Sequence, residues 1–134
     1  MKRHFSILIL MLSISCLLSA CGSGKNSIVG TWEISQYEVS DETISADEIS
    51  DYLGENAKEF NKYSIVFTKT GNVTLTRPDF RGGSTDIKLA YTVQDGQVEI
   101  YDPDDTTDFE LYPYKDGKIK IEIGGNIIAI FEKK

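Results

Sequence analysis

The chain has 134 residues, with 14 basic against 21 acidic side chains and a formal net charge of −7. That length suits one domain plus a short extension, and 40% hydrophobic with 26% charged residues excludes a wholly disordered chain. The acidity weighs against nucleic acid, whose phosphates it repels, and against anionic lipid held by a basic patch.

Residues 1–20 open with Lys2, Arg3 and His4 and continue as the apolar run FSILILMLSISCLLSA. The run is short for a membrane span, which needs about 20 mainly apolar residues. A positive start, an apolar middle and small residues at the end form the pattern of a secretory signal. Leu18-Ser19-Ala20-Cys21, followed by Gly22, resembles the lipobox of bacterial lipoproteins. The resemblance implies a diacylglyceryl group on the Cys21 thiol and cleavage that leaves Cys21 as the new N-terminus. Two or more acyl chains hold firmly to a bilayer, at about 0.8 kcal/mol per buried CH2. Residues 21–27 then read as a flexible tether from the lipidated cysteine. Removal of residues 1–20 takes away Lys2 and Arg3, leaving 12 basic and 21 acidic residues and a net charge of −9. It also removes Cys16, so no disulfide framework is available and the domain depends on its core.

From Ile28 the pattern is alternation punctuated by turns, which predicts strands. The first runs from Ile28 to Val39. Ser45 followed by Glu48 resembles a capping box, and Ile49, Leu53 and Phe60 fall near one helical face. One amphipathic helix is therefore predicted over 45–60, with Gly54 as its weak point. Further strands are predicted at 63–69 and 72–77, at 86–94 and 97–101 around Asp95-Gly96, at 107–114 and 118–123 around Asp116-Gly117, and at 126–132. The expected fold is all-β, a small antiparallel up-and-down barrel of about eight strands with one helix after the first strand. Alternation assigns Trp32, Ile34, Ile65, Phe67, Val73, Leu75, Leu89, Phe109, Leu111 and Ile121 to the interior. It assigns Tyr101, Tyr112 and Tyr114 to the outside.

Gly30-Thr31-Trp32 at the head of the first strand is a G-x-W element. It resembles the lipocalin and calycin group, where such a tryptophan packs across the closed end of a barrel. The layout is also similar to short bacterial lipocalin-like lipoproteins, through Gly30, Trp32, Glu33, Asp95-Gly96, Asp116-Gly117, Phe131 and Lys133. The resemblance covers residues 28–134 and implies a barrel domain there. Strands this short with bulky inward residues point to a packed core more than a roomy cup.

The only histidine, His4, belongs to the leader, which removes Ser-His-Asp and Cys-His catalysis and histidine-based zinc sites from the domain. No enzyme, cofactor or metal is expected. The acidic run Asp102-Pro-Asp104-Asp105-Thr-Thr-Asp108 gathers oxygen atoms that calcium takes, but it lacks the glycine of an EF-hand turn and reads as a solvated turn. Arg77-Pro-Asp-Phe80-Arg81-Gly-Gly is a basic-aromatic loop that reads first as a long connection with exposed charges and second as a receiver for an anionic group at the barrel mouth. The three outward tyrosines suggest a contact patch or simple cross-strand pairing.

The expectation is a lipid-anchored extracytoplasmic module of the cell membrane or envelope, binding a small apolar ligand through Trp32 and Tyr91 inside and Arg77, Phe80 and Arg81 at the mouth. The alternative is a structural or protein-interaction lipoprotein with a filled barrel, whose partner is a cell-envelope protein. A connected interior cavity of about 300 Å³ or more separates the two.

Overall fold

The computed structural model describes residues 27–79 and 81–134. The expected signal segment, the lipidated Cys21 and Phe80 lie outside the described residues. Among the described residues nine strands form: β1 (Gly30–Val39), β2 (Glu42–Ser45), β3 (Ser64–Phe67), β4 (Asn72–Pro78), β5 (Ser84–Gln94), β6 (Gln97–Asp102), β7 (Asp105–Lys115), β8 (Lys118–Gly124) and β9 (Ile127–Lys133). From β3 onward each pairs antiparallel with the next, and β9 returns to β1, so the sheet closes. Eight strands make the ring. The short β2 shares one side of β1 with β3, which pairs with Gly30–Glu33 while β2 pairs with Gln36–Val39.

β2 is absent from the sequence expectation. The hairpin that carries it turns on Ser40 and Asp41, at φ 49° and 69°. Left-handed backbone is uncommon without glycine, so the turn carries no strong local signal. Asp116-Gly117, at φ 55° and 73°, is the mirror-image turn that its residues announce.

The helix is the larger departure. In place of one amphipathic helix over 45–60 there are a 3-10 turn at Ala46–Glu48, a five-residue helix α1 (Ile49–Leu53) and a 3-10 stretch at Glu55–Lys62. Gly54 stands between the last two at φ 93° and ψ 166°, far outside the helical region. The flexible glycine breaks the helix where a side chain would favour continuation. Ser45 precedes the segment without a side-chain cap bond, so the capping box does not form. Ile49 and Ala57 are buried in the barrel core, while Tyr52 and Leu53 stay exposed.

Up-and-down topology gives the barrel two ends. The short turns after β3, β5 and β7 lie at one, with the start of β1 and the end of β9. The loops after β1, β4, β6 and β8 lie at the other, the mouth, and the helical segment joins β2 to β3 there. The core is continuous from Ile28, Trp32 and Phe67 through Tyr91, Val98 and Ile119 to Tyr37, Ile44 and Ile49. A bulge at Ser35, between the Ile34–Phe131 and Gln36–Ile130 pairs, shifts the phase of β1. It lets Trp32, Ile34 and Tyr37 all point inward.

β7 reverses the sequence assignment. Tyr112 and Tyr114 pack on the core, and Phe109 and Leu111 are exposed. Both sets are apolar, so alternation cannot choose between them. Register decides: Tyr112 lies opposite the fully buried Val98, whereas Leu111 lies opposite Glu99 and Phe109 opposite Tyr101. Residues directly opposite share a face. β9 is apolar on both sides, and its inward residues are Ile127, Ala129 and Phe131. Ile130 is buried on the outer face, between Gln36 of β1 and Lys120 of β8. Lys120 Nζ meets Glu38 Oε1 at 2.7 Å, and the two side chains bridge β9 above its outer apolar residues.

Candidate functional site

Trp32 sits near the closed end at 1% exposure, and its indole N–H donates to the Ile28 carbonyl at 2.7 Å. Its ring meets Phe67 edge-on at 6.4 Å and Tyr114 at 5.8 Å, and Phe67 meets Tyr91 at 4.8 Å. The Tyr91 hydroxyl donates to the Thr68 carbonyl, and burial raises its pKa. Trp32 and Tyr91 are thus brought together through Phe67, each edge-on contact contributing about 0.5–1.5 kcal/mol beyond area burial. They fill the interior there. Nearer the mouth, Tyr37 is wholly buried, and its hydroxyl donates to Asn61 Oδ1 at 2.7 Å. Asn61 Nδ2 in turn donates to the Ala46 carbonyl at 3.1 Å, tying both ends of the helical segment to the core. Desolvation pushes the Tyr37 hydroxyl well above the usual tyrosine range.

The mouth loop does not offer its amides to a ligand. Asp79 Oδ1 accepts the backbone N–H of Arg81 at 2.9 Å and of Gly83 at 2.8 Å. These two bonds hold the Asp79 carboxyl below the usual range. Arg77 and Arg81 are exposed, Arg77 near the mouth end of β4, far along the barrel from Trp32. Trp32 and Tyr91 therefore do not share one site with Arg77 and Arg81.

The acidic loop is likewise self-contained. Asp102 Oδ1 accepts the Asp104 N–H at 2.9 Å, and Asp105 Oδ1 accepts both the N–H and the hydroxyl of Thr107, which lowers the Asp105 pKa. No group of three or more metal-ligating side chains occurs among the described residues, and no charged side chain is buried there.

The feature that sequence reasoning missed is a seam. β7 and β8 pair only at Tyr114–Ile119 and Lys115–Lys118, next to their turn. Beyond it β7 continues along β6 alone, and β8 along β9 alone. Between them lies a groove of about 690 Å³ lined by Glu110, Leu111 and Tyr112 on one lip and Lys120, Glu122 and Ile123 on the other. The Tyr112 hydroxyl donates to the Glu110 carboxylate beside the groove, and burial followed by that carboxylate raises the Tyr112 pKa well beyond the ordinary. Pro113 was the available signal. In a two-residue hairpin Lys115 and Lys118 form the first bonded pair, and Pro113 opposite Lys120 would form the next. Proline has no N–H to give.

A closed antiparallel eight-stranded ring with an inward G-x-W tryptophan and a short helix after the first strands is a lipocalin-like barrel. A solved structure agrees. A lipocalin-like protein from Bacteroides uniformis matches with a TM-score of 0.52 at 16% identity, covering 81% of this chain and 99% of its own. An uncharacterized protein from Bacteroides eggerthii gives a TM-score of 0.49 at 13% identity, covering 80% of this chain and 99% of its own. No family model matches the chain. No curated protein matches it either.

Proposed function

We propose that the protein is a lipid-anchored, non-enzymatic module of the bacterial envelope, held on the extracytoplasmic side through Cys21. In this reading it recognises an envelope protein with its outer surface and carries no small ligand inside. The anchor rests on Leu18-Ser19-Ala20-Cys21 after an apolar run. The surface reading is supported by one observation above all. Trp32, Tyr37, Phe67 and Phe131 are each no more than 2% exposed and occupy the space that an interior ligand requires. The large groove lies in the wall, lined by β7 and β8.

Two measurements test this. Labelled palmitate is expected to enter the protein and to be lost with Cys21→Ala; equal labelling of the variant removes the anchor. Trp32 is the single tryptophan, so its emission reports on the interior directly. Titration with a medium-chain fatty acid is expected to leave that emission unchanged. A saturable shift or quench favours the apolar-ligand reading instead.

A further inference from the structure

We propose that the β7–β8 seam accepts a short extended peptide of alternating basic and aliphatic residues, donated by another envelope protein, as an added strand in the barrel wall. The proposal rests on the surface-binding reading above and names its partner chemistry.

Backbone geometry comes first. The Tyr114 N–H donates to the Gly96 carbonyl, on the β6 side. Strand alternation therefore turns the backbone of Pro113, Leu111 and Phe109 toward β8. Pro113 stops the ladder, and the Leu111 and Phe109 N–H groups lie beyond the last β7–β8 pair. Strand β8 from Lys120 onward is the facing lip, and it pairs only with β9. Two unpaired edges facing each other across a groove are complementary to a strand, because only another backbone supplies a matching row of donors and acceptors. The lips run antiparallel to one another, so an inserted strand makes one antiparallel and one parallel ladder. Five residues extend about 17 Å, the common strand length, which matches the run from Phe109 to Pro113.

Side chains narrow the partner. Tyr112 and Ile123 pack against the core on the inward side, where Glu110 shares the face of Tyr112, and on the outer side the exposed Leu111 and Phe109 offer apolar surface to every second residue of the guest. Glu110 and Glu122 line the groove from its two lips, and Lys120 is already engaged by Glu38 at 2.7 Å. The lips thus favour a cationic guest. They disfavour pairing with β7 of a second copy, since that strand brings Asp105, Asp108 and Glu110 of its own.

The test uses the acylated full-length protein in detergent and a labelled synthetic peptide of alternating lysine and valine. Saturable binding is expected, with new amide-exchange protection at Leu111 and across 120–123, and at least tenfold weaker binding of a glutamate–valine peptide. Leu111→Pro, which deletes a seam donor at an exposed position, is expected to weaken binding at least tenfold with Trp32 emission unchanged. If that variant unfolds, Glu110→Lys with Glu122→Lys is expected to cause the same loss by charge. Equal binding of both peptides, protection elsewhere, or full affinity in the charge variant overturns the proposal. So does a dimer in sedimentation whose exchange protection covers this seam. A null peptide result with silent Trp32 emission removes the seam site alone, whereas a fatty-acid effect on Trp32 removes the surface-binding reading beneath it.

Discussion

The barrel has two joints that behave differently, one closing the ring and one a hairpin. β1 and β9 meet from Trp32 opposite Lys133 to Val39 opposite Ile127, through one bulge. The Lys134 N–H extends the joint by donating to the Thr31 carbonyl at 2.8 Å, and Lys134 also meets Glu33 at 3.3 Å. This joint brings together the two ends of the domain, the most distant pairing available, yet it is the complete one. β7 and β8 are joined by a tight, strongly signalled turn and separate after two pairs. Closeness in sequence therefore does not decide closure. Burial does: Phe131 and Ala129 from β9 face the fully buried side chains of β1. Across β7 the inward positions include Glu110, beside a proline that cannot continue the ladder.

The contrast can be broken at either joint. The largest expected effect is at the filled end. Trp32→Ala removes a fully buried ring and its bond to Ile28, and should lower unfolding free energy by about 3–5 kcal/mol in a urea titration. A loss below about 1 kcal/mol would mean that the closed end does not organise the core. Tyr37→Phe leaves Asn61 Oδ1 without its donor and should cost about 1–2 kcal/mol by the same titration, loosening the helical segment rather than the β1–β9 joint. Pro113→Val restores one donor at the seam. It should add about 1 kcal/mol, bring slower amide exchange at Lys120 and give position 113 a protected amide. Unchanged exchange there would acquit the proline.

The smallest effect is local and acid-driven. The folded-state pKa of Asp79 is depressed, so its contribution is present above the unfolded carboxylate value of about 3.9 and is lost as pH falls through the lower folded value. The amide resonances of Arg81 and Gly83 are expected to titrate together below that ordinary value. Midpoints at or above it would show that the two hydrogen bonds do not hold the loop.

The sequence alone determined the class of fold, because its signals are local. Period-two alternation in β5, β6 and β8 needs only neighbouring residues, and Asp116-Gly117 carries its own turn geometry. The G-x-W tryptophan fell where that reading expected it. Gly54 was visible as a weakness, and only the fold turned the weakness into a break. Tertiary structure alone decided which apolar face of β7 turns inward, since Phe109, Leu111, Tyr112 and Tyr114 are equally acceptable until Val98 sits opposite one of them. It also decided that the described candidate residues do not converge. Trp32 and Tyr91 are consumed by packing against Phe67, and the loop amides of Arg81 and Gly83 by Asp79. Cross-strand register and ring closure join residues far apart in the chain, and no local pattern encodes which distant partner a side chain will face.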